Sequence, residues 1–189
     1  TVKRQTSNVK REKGLFVSFQ ESKESLLAAA DGLGWDFQSA INKGLLEILY
    51  VPLPETLFEA QVLLIEERMK SQGYKRLAID SISSFMFKVT DPQLFREKIY
   101  QITTIVQNAE AICLMANDSP GRRIELLASV EDNLVDGLIC LYSEKVGFGR
   151  CRYIEIQKLR NTRHSLGMYP VVIERGGIQS ESNKPLVAE

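Results

Sequence analysis

The chain has 189 residues, enough for one domain with a substantial core and too few for two full ones. Its 24 basic and 24 acidic residues cancel, so overall charge draws it neither to nucleic acid nor to an anionic membrane surface, and a nucleic-acid role would need a local patch. No apolar run reaches the roughly 18 residues of a membrane span, the polar start Thr1 to Lys13 does not read as a signal peptide, and Cys113, Cys140 and Cys151 fit neither a disulfide framework nor a zinc site, which predicts buried, reduced thiols in a cytoplasmic protein.

Leu15 to Phe19 predicts a short apolar strand ended by Gln20 and Glu21, with Ser22 placed to cap a helix carrying Leu26, Leu27, Ala30 and Leu33. Gly32 and Gly34 stop that helix. A second strand, Leu45 to Val51, ends at Pro52 and Pro54, and the helix after it has Leu57, Val62, Ile65 and Met69 at helical spacing. Strand Arg76 to Ile79 follows. Asp91-Pro92 reads as the N-cap and first residue of a helix with Leu94, Phe95, Ile99, Ile102 and Val106 on its inner side, and Ala111 to Ala116 as the next strand.

This alternation predicts an α/β domain with a mainly parallel sheet, because parallel neighbours need crossover helices. In the last third, Gly137 to Tyr142, Arg150 to Leu159 and Tyr169 to Glu174 read as strands joined by short loops, one of them Gly147-Phe148-Gly149, so antiparallel pairing is expected at the C-terminal edge. From Gly176 to Glu189 the chain is polar and reads as a linker or a disordered end. The expected organisation is therefore one domain over residues 1–178 and a tail over 179–189.

Ligands of an open parallel sheet bind beyond the carboxyl ends of its strands. Three strands here end in polar residues, at Gln20-Glu21, Asp80-Ser81 and Asn117-Asp118, which would bring carboxylates and amides into one cleft if the strands are adjacent. Singly, each has a structural alternative: Asp80 can cap a turn, Glu21 can start a helix and Asn117 can close a loop. Their joint placement is harder to explain that way. Along Arg152 to Arg160, period-two alternation puts Ile154 and Ile156 on one face with Lys158 and Arg160, the cations lying past the edge of the core. They are either a solvated strand end or a place to meet a charged substrate.

The segments Gly14-Leu15-Phe16-Val17-Ser18-Phe19-Gln20-Glu21-Ser22, Gly34-Trp35-Asp36, Ala78-Ile79-Asp80-Ser81, Lys158 to His164 and Tyr169-Pro170 together resemble the KaiC family of RecA-like ATPase domains, from about Lys13 to Ile178. The resemblance implies a RecA-like three-layer domain with a mainly parallel central sheet and antiparallel strands at the C-terminal edge. It further implies ATP and Mg2+ as cofactors, a homo-oligomeric ring expected to be a hexamer, and signalling proteins as partners. By resemblance Asp80 is a Walker B aspartate that holds magnesium through water, with Ser81 and Asn117 beside the nucleotide. Glu21 stands where the family carries a glutamate that orients and polarises the attacking water, a role that needs a carboxylate to take a proton. Gln20 occupies the first of two positions where the family has adjacent glutamates, so hydrolysis is expected to be slow. Lys158 and Arg160 form a Lys-x-Arg pair that would reach a neighbour's γ-phosphate across a ring interface. His164, the sole histidine, would lie near the nucleotide's sugar, with a solvated loop as its alternative. Asn161 replaces a frequent glycine.

A phosphate-binding loop of the form G-x-x-x-x-G-K-[ST] is expected before Leu15, yet Gly14 is the first glycine and no Gly-Lys-Ser or Gly-Lys-Thr occurs in the sequence. Either residues preceding Thr1 supply that loop, which is the preferred expectation, or the domain is a degenerate, nucleotide-independent interaction module of the same fold. A DNA-handling recombinase relative is disfavoured by the zero net charge and the lack of an evident basic and aromatic patch. Self-phosphorylation is disfavoured too, because the positions that would accept the phosphoryl group fall on Asp132-Asn133, with Ser129 the nearby hydroxyl.

Overall fold

Strands β1 (Gly14–Ser18), β2 (Leu46–Tyr50), β3 (Arg76–Asp80) and β4 (Ile112–Met115) pair in parallel in the order β2-β1-β3-β4. The computed structural model describes residues 12–52, 58–86, 91–118 and 134–180. Each parallel step is bridged by helix: α1 (Lys23–Gly32) and α2 (Phe37–Asn42), then α3 (Phe58–Gln72), then α4 (Ser83–Met86) and α5 (Pro92–Asn108). The register places Leu15 beside Leu77 and Val17 beside Ile79, and these four side chains are buried with Ile65 and Met69 of α3 and Ile99 and Ile102 of α5.

The helix starts follow their capping residues. Ser22 Oγ accepts from the Ser25 amide at 3.3 Å, and Asp91 Oδ1 from the Gln93 amide at 2.8 Å ahead of Pro92. Helix α2 was not anticipated; it begins where Asp36 Oδ1 accepts from the Ser39 amide at 2.8 Å. In α5 the buried stripe runs through Phe95, Ile99, Ile102 and Ile105, whereas Leu94, expected inside, is 39% exposed. Lys98 lies in that stripe and reaches Glu59 of α3 with Nζ to Oε1 at 2.8 Å, so its stem is buried while its charge is met. The expected helical position Leu57 lies outside the described residues.

By its contacts the chain forms two units, one holding β1 to β4 and α1 to α5 apart from the stretch Gly32–Trp35, which belongs with the other. That second unit is an antiparallel sheet of β5 (Gly137–Val146), β6 (Gly149–Leu159), β7 (Met168–Glu174) and β8 (Gly177–Ser180), in that order. The α/β class with a parallel sheet and C-terminal antiparallel strands is thus observed, the antiparallel strands forming a sheet of their own. Val146 pairs with Gly149 around the turn Gly147-Phe148, where Gly147 takes a φ of +58°.

Strand β8 corrects the expectation that a linker starts at Gly176. Its sequence offers one large apolar residue, Ile178, so it reads as polar tail, yet it pairs with β7 from Gly177 to Ser180. The Trp35 indole holds the turn: Nε1 donates to the Gly176 carbonyl at 3.1 Å, and a Cβ on Gly177 would stand 2.8 Å from the ring at a φ of +116°. All three cysteines are free, but Cys151 is exposed, against the expectation of burial; it sits near the hairpin tip of β6. Burial pushes the Cys113 thiol up to about 12. Among the described residues no helix is long and apolar enough to cross a membrane.

Candidate functional site

Where β1 ends, the chain folds back on a buried hydroxyl. Ser18 Oγ donates to the Glu21 carbonyl at 2.8 Å and accepts from the Glu21 amide at 3.1 Å, which fixes the turn that presents Gln20 and Glu21. The Phe19 amide donates to the Asp80 carbonyl at 3.0 Å, so this turn is tied to the end of β3. Glu21 is exposed, and its Oε2 accepts from Ser25 Oγ at 2.7 Å, one turn along α1.

After Asp80, whose peptide bond to Ser81 is cis, three serines line the β3–α4 turn. Ser81 and Ser84 are 2% and 0% exposed, too buried to be bonded by bulk water, and they bond to each other and to neighbouring strand ends instead. Ser81 Oγ lies 2.6 Å from Ser83 Oγ and 3.4 Å from Ser84 Oγ. Ser81 and Ser83 donate to Asp118 Oδ2 at 3.2 and 3.0 Å, and the Asp118 amide donates to Ser83 Oγ at 3.3 Å. Gln20 joins from β1, its Nε2 donating to Ser84 Oγ at 2.8 Å. Asn117 is half-buried between Asp118 and Ala116, whose carbonyl accepts from the Ile82 amide at 2.8 Å.

Burial lifts the Asp80 carboxyl above its ordinary range, and the Asp118 and Glu21 carboxylates push it further the same way. A raised pKa means that the folded state holds this proton more tightly than the unfolded chain, so stability is lost as pH rises through the folded value. Asp80→Asn should accordingly raise the melting temperature at about pH 7 and leave it nearly unchanged at about pH 3, where the carboxyl is protonated in both states. Thermal unfolding at the two pH values decides; a loss at neutral pH would place Asp80 in a stabilising ion pair instead.

Among the described residues no three His, Cys, Asp or Glu side chains lie close enough to cage a metal ion. A hard cation that keeps most of its waters needs only one or two carboxylates, and a half-buried Asp80 facing Asp118 and Glu21 fits that demand.

The remaining predicted residues belong to the antiparallel unit. Lys158 is half-buried, its Nζ donating to the Val135 carbonyl at 2.9 Å, and Arg160 Nη1 lies 3.5 Å from Asp136 Oδ1. A bulge between the pairs Leu138–Lys158 and Ile139–Ile156 makes Gln157 an extra residue. Lys158 therefore lies on the face opposite Ile154 and Ile156, correcting the expectation that they share one, since one inserted residue reverses the alternation. His164 Nδ1 is 3.2 Å from the Ser165 carbonyl in the β6–β7 loop. Asn161 has a φ of +56°, the left-handed conformation that asparagine tolerates in place of glycine.

Gln20, Glu21, Asp80 and Ser81 thus meet at one end of the parallel sheet with Asn117 close in the chain to Asp118, while Lys158, Arg160 and His164 sit on the other unit. Sequence reasoning passed over Ser18, Ser25, Ser83 and Ser84 as site residues. The one signal was three serines in four positions directly after a strand-ending aspartate, Ser81-Ile82-Ser83-Ser84. Ser129 and Asp132-Asn133, on which self-phosphorylation was disfavoured, lie outside the described residues.

A family model described as an ATPase, KaiC, matches residues 5–184. The chain is similar to the circadian clock oscillator protein KaiC of Parathermosynechococcus lividus, 31% identical over 178 residues that cover 89% of this chain and 33% of that protein. KaiC of Synechococcus elongatus is 29% identical over 180 residues, covering 88% and 34%. The chain spans about a third of the length of these curated relatives. A crystal structure of a KaiC-like protein from Pyrococcus horikoshii OT3 superposes with a TM-score of 0.76 at 27% identity, covering 90% of this chain and 76% of that one.

Proposed function

We propose that this chain, which belongs to the KaiC family of ATPase domains, binds ATP with magnesium at the carboxyl ends of β1, β3 and β4 and supports its slow hydrolysis in a homo-oligomeric, hexameric ring. The observation that carries this reading is the convergence of Glu21, Asp80 and Asp118 on neighbouring ends of one parallel sheet. Asp80 would hold magnesium through water, and the chemistry such an ion supplies is to offset phosphate charge. Glu21, exposed and steadied by Ser25, holds a water and takes its proton as the oxygen attacks the γ-phosphorus, whose bond to the β–γ bridging oxygen breaks so that ADP leaves with that electron pair. Asn117 and Ser81 flank the nucleotide, His164 meets its sugar, and Lys158 and Arg160 act on a neighbour's γ-phosphate. A cytoplasmic, regulatory role with protein signalling partners completes the reading.

A phosphate cradle must come from outside these 189 residues, since the sequence contains no G-x-x-x-x-G-K-[ST] loop. The edge strand β4 supports an added element: Ile112 and Leu114 are 62% and 66% exposed, although parallel strands are normally covered on both faces. The lack of that loop is also the one observation favouring a nucleotide-independent interaction module.

Calorimetry on the 189 residues alone should show ATP binding weaker than micromolar, because Asp80 can hold magnesium but cannot replace backbone N–H donors around the phosphates. Micromolar binding would overturn the need for a cradle. Magnesium-dependent phosphate release, measured once a cradle is present, tests the main reading, and a complete failure to bind ATP there would hand the assignment to the interaction module.

A further inference from the structure

The buried hydroxyls behind Asp80 form one connected chain. At one end, the Gln20 amide nitrogen donates to Ser84 Oγ at 2.8 Å. At the other end, the Asp118 carboxylate can only accept, with Ser81 and Ser83 Oγ at 3.2 and 3.0 Å. Between them, Ser84 Oγ lies 3.4 Å from Ser81 Oγ, and Ser81 Oγ lies 2.6 Å from Ser83 Oγ, so the three hydroxyls share their protons among themselves and the carboxylate.

We propose that Gln20 and Ser84 are positioning residues for Glu21: the chain Gln20–Ser84–Ser81–Asp118 locks the turn bearing Glu21 to the ends of β3 and β4. The proposal rests on the reading of Glu21 as the water-orienting carboxylate. Gln20 is the residue next to Glu21 in the chain and crosses to a serine 64 residues away, so its bond fixes where that carboxylate stands relative to Asp80.

The test compares Gln20→Met, Ser84→Ala and the double variant Gln20→Met/Ser84→Ala for kcat, KM and the side-chain amide resonances of Gln20 where it is retained. Each single variant should lower kcat by roughly tenfold or more with KM little changed, since misplacing a reacting group costs rate and not binding. The double variant should be no slower than the slower single, because both remove the same bond. In Ser84→Ala the Gln20 amide protons should lose their protection from exchange. Singles with unchanged kcat, or two singles whose losses multiply, overturn the proposal. Should the wild-type protein, with its cradle, prove unable to turn over ATP, the parent reading fails, and the resonances then decide: Gln20 amide signals unmoved by Ser84→Ala overturn the chain, and shifted ones uphold the lock as a structural tie.

Discussion

Glu21→Gln should slow ATP hydrolysis by about 100-fold or more while leaving nucleotide affinity unchanged, measured as single-turnover phosphate release and equilibrium binding on one protein with a complete phosphate cradle. The substitution keeps size and hydrogen-bonding reach but removes the proton acceptor. Glu21 has no burial to lose, being exposed, and its turn is set by Ser18 through backbone atoms that the substitution does not touch. The Ser25 hydroxyl can donate to the amide oxygen as it does to Oε2, so the side chain keeps its place. A loss of rate without loss of binding is thus a loss of chemistry. Affinity falling in step with rate would show that Glu21 contacts the nucleotide itself, and an unchanged rate would place the base on another residue.

The parallel sheet was legible because its strands are short apolar runs closed by polar residues, and the helices between them carry caps that act locally. Asp91-Pro92 and Ser22 start helices in the structure as their chemistry requires. That the polar strand ends lie along one edge of the sheet was legible as well, since parallel strands end on the same side, whereas the adjacency of β1, β3 and β4 was left as a condition that the observed strand order supplies. Three things were hidden because they depend on partners distant in sequence. Gly177–Ser180 pairs as a strand only because Trp35 and β7 receive it. The Gln157 bulge is a matter of pairing register, which a period-two reading of one strand cannot detect. The serine network needs three strand ends before any of its hydroxyls has a partner, so Ser84 in isolation looks like an ordinary turn residue. Cys151 shows the same limit from the opposite side: strand-like surroundings predicted burial, but the outer part of β6 is exposed.

Lys158 and Arg160 should act in trans. In this structure their charges rest on the residues just before β5: Lys158 on the Val135 carbonyl at 2.9 Å, Arg160 beside Asp136 at 3.5 Å. The Arg160–Asp136 pair is solvent-exposed, 44% and 86% by side chain, and such pairs contribute only about 0–1 kcal/mol, while a γ-phosphate offers the guanidinium more charge than one carboxylate does. In the proposed ring, doping Lys158→Ala/Arg160→Ala subunits among wild-type ones should therefore disable sites on neighbouring subunits, with activity falling faster than the wild-type fraction. Mixing that double variant with Glu21→Gln subunits should restore activity that neither has alone, because one class of mixed interface joins an intact Glu21 to intact cations. Charge-stabilising fingers are worth roughly a thousandfold or more in turnover, so even a small share of repaired interfaces gives a measurable rate. Activity strictly proportional to the wild-type fraction, with no recovery in the mixture, would assign both cations to their own subunit or to a solvated strand end held by Val135 and Asp136.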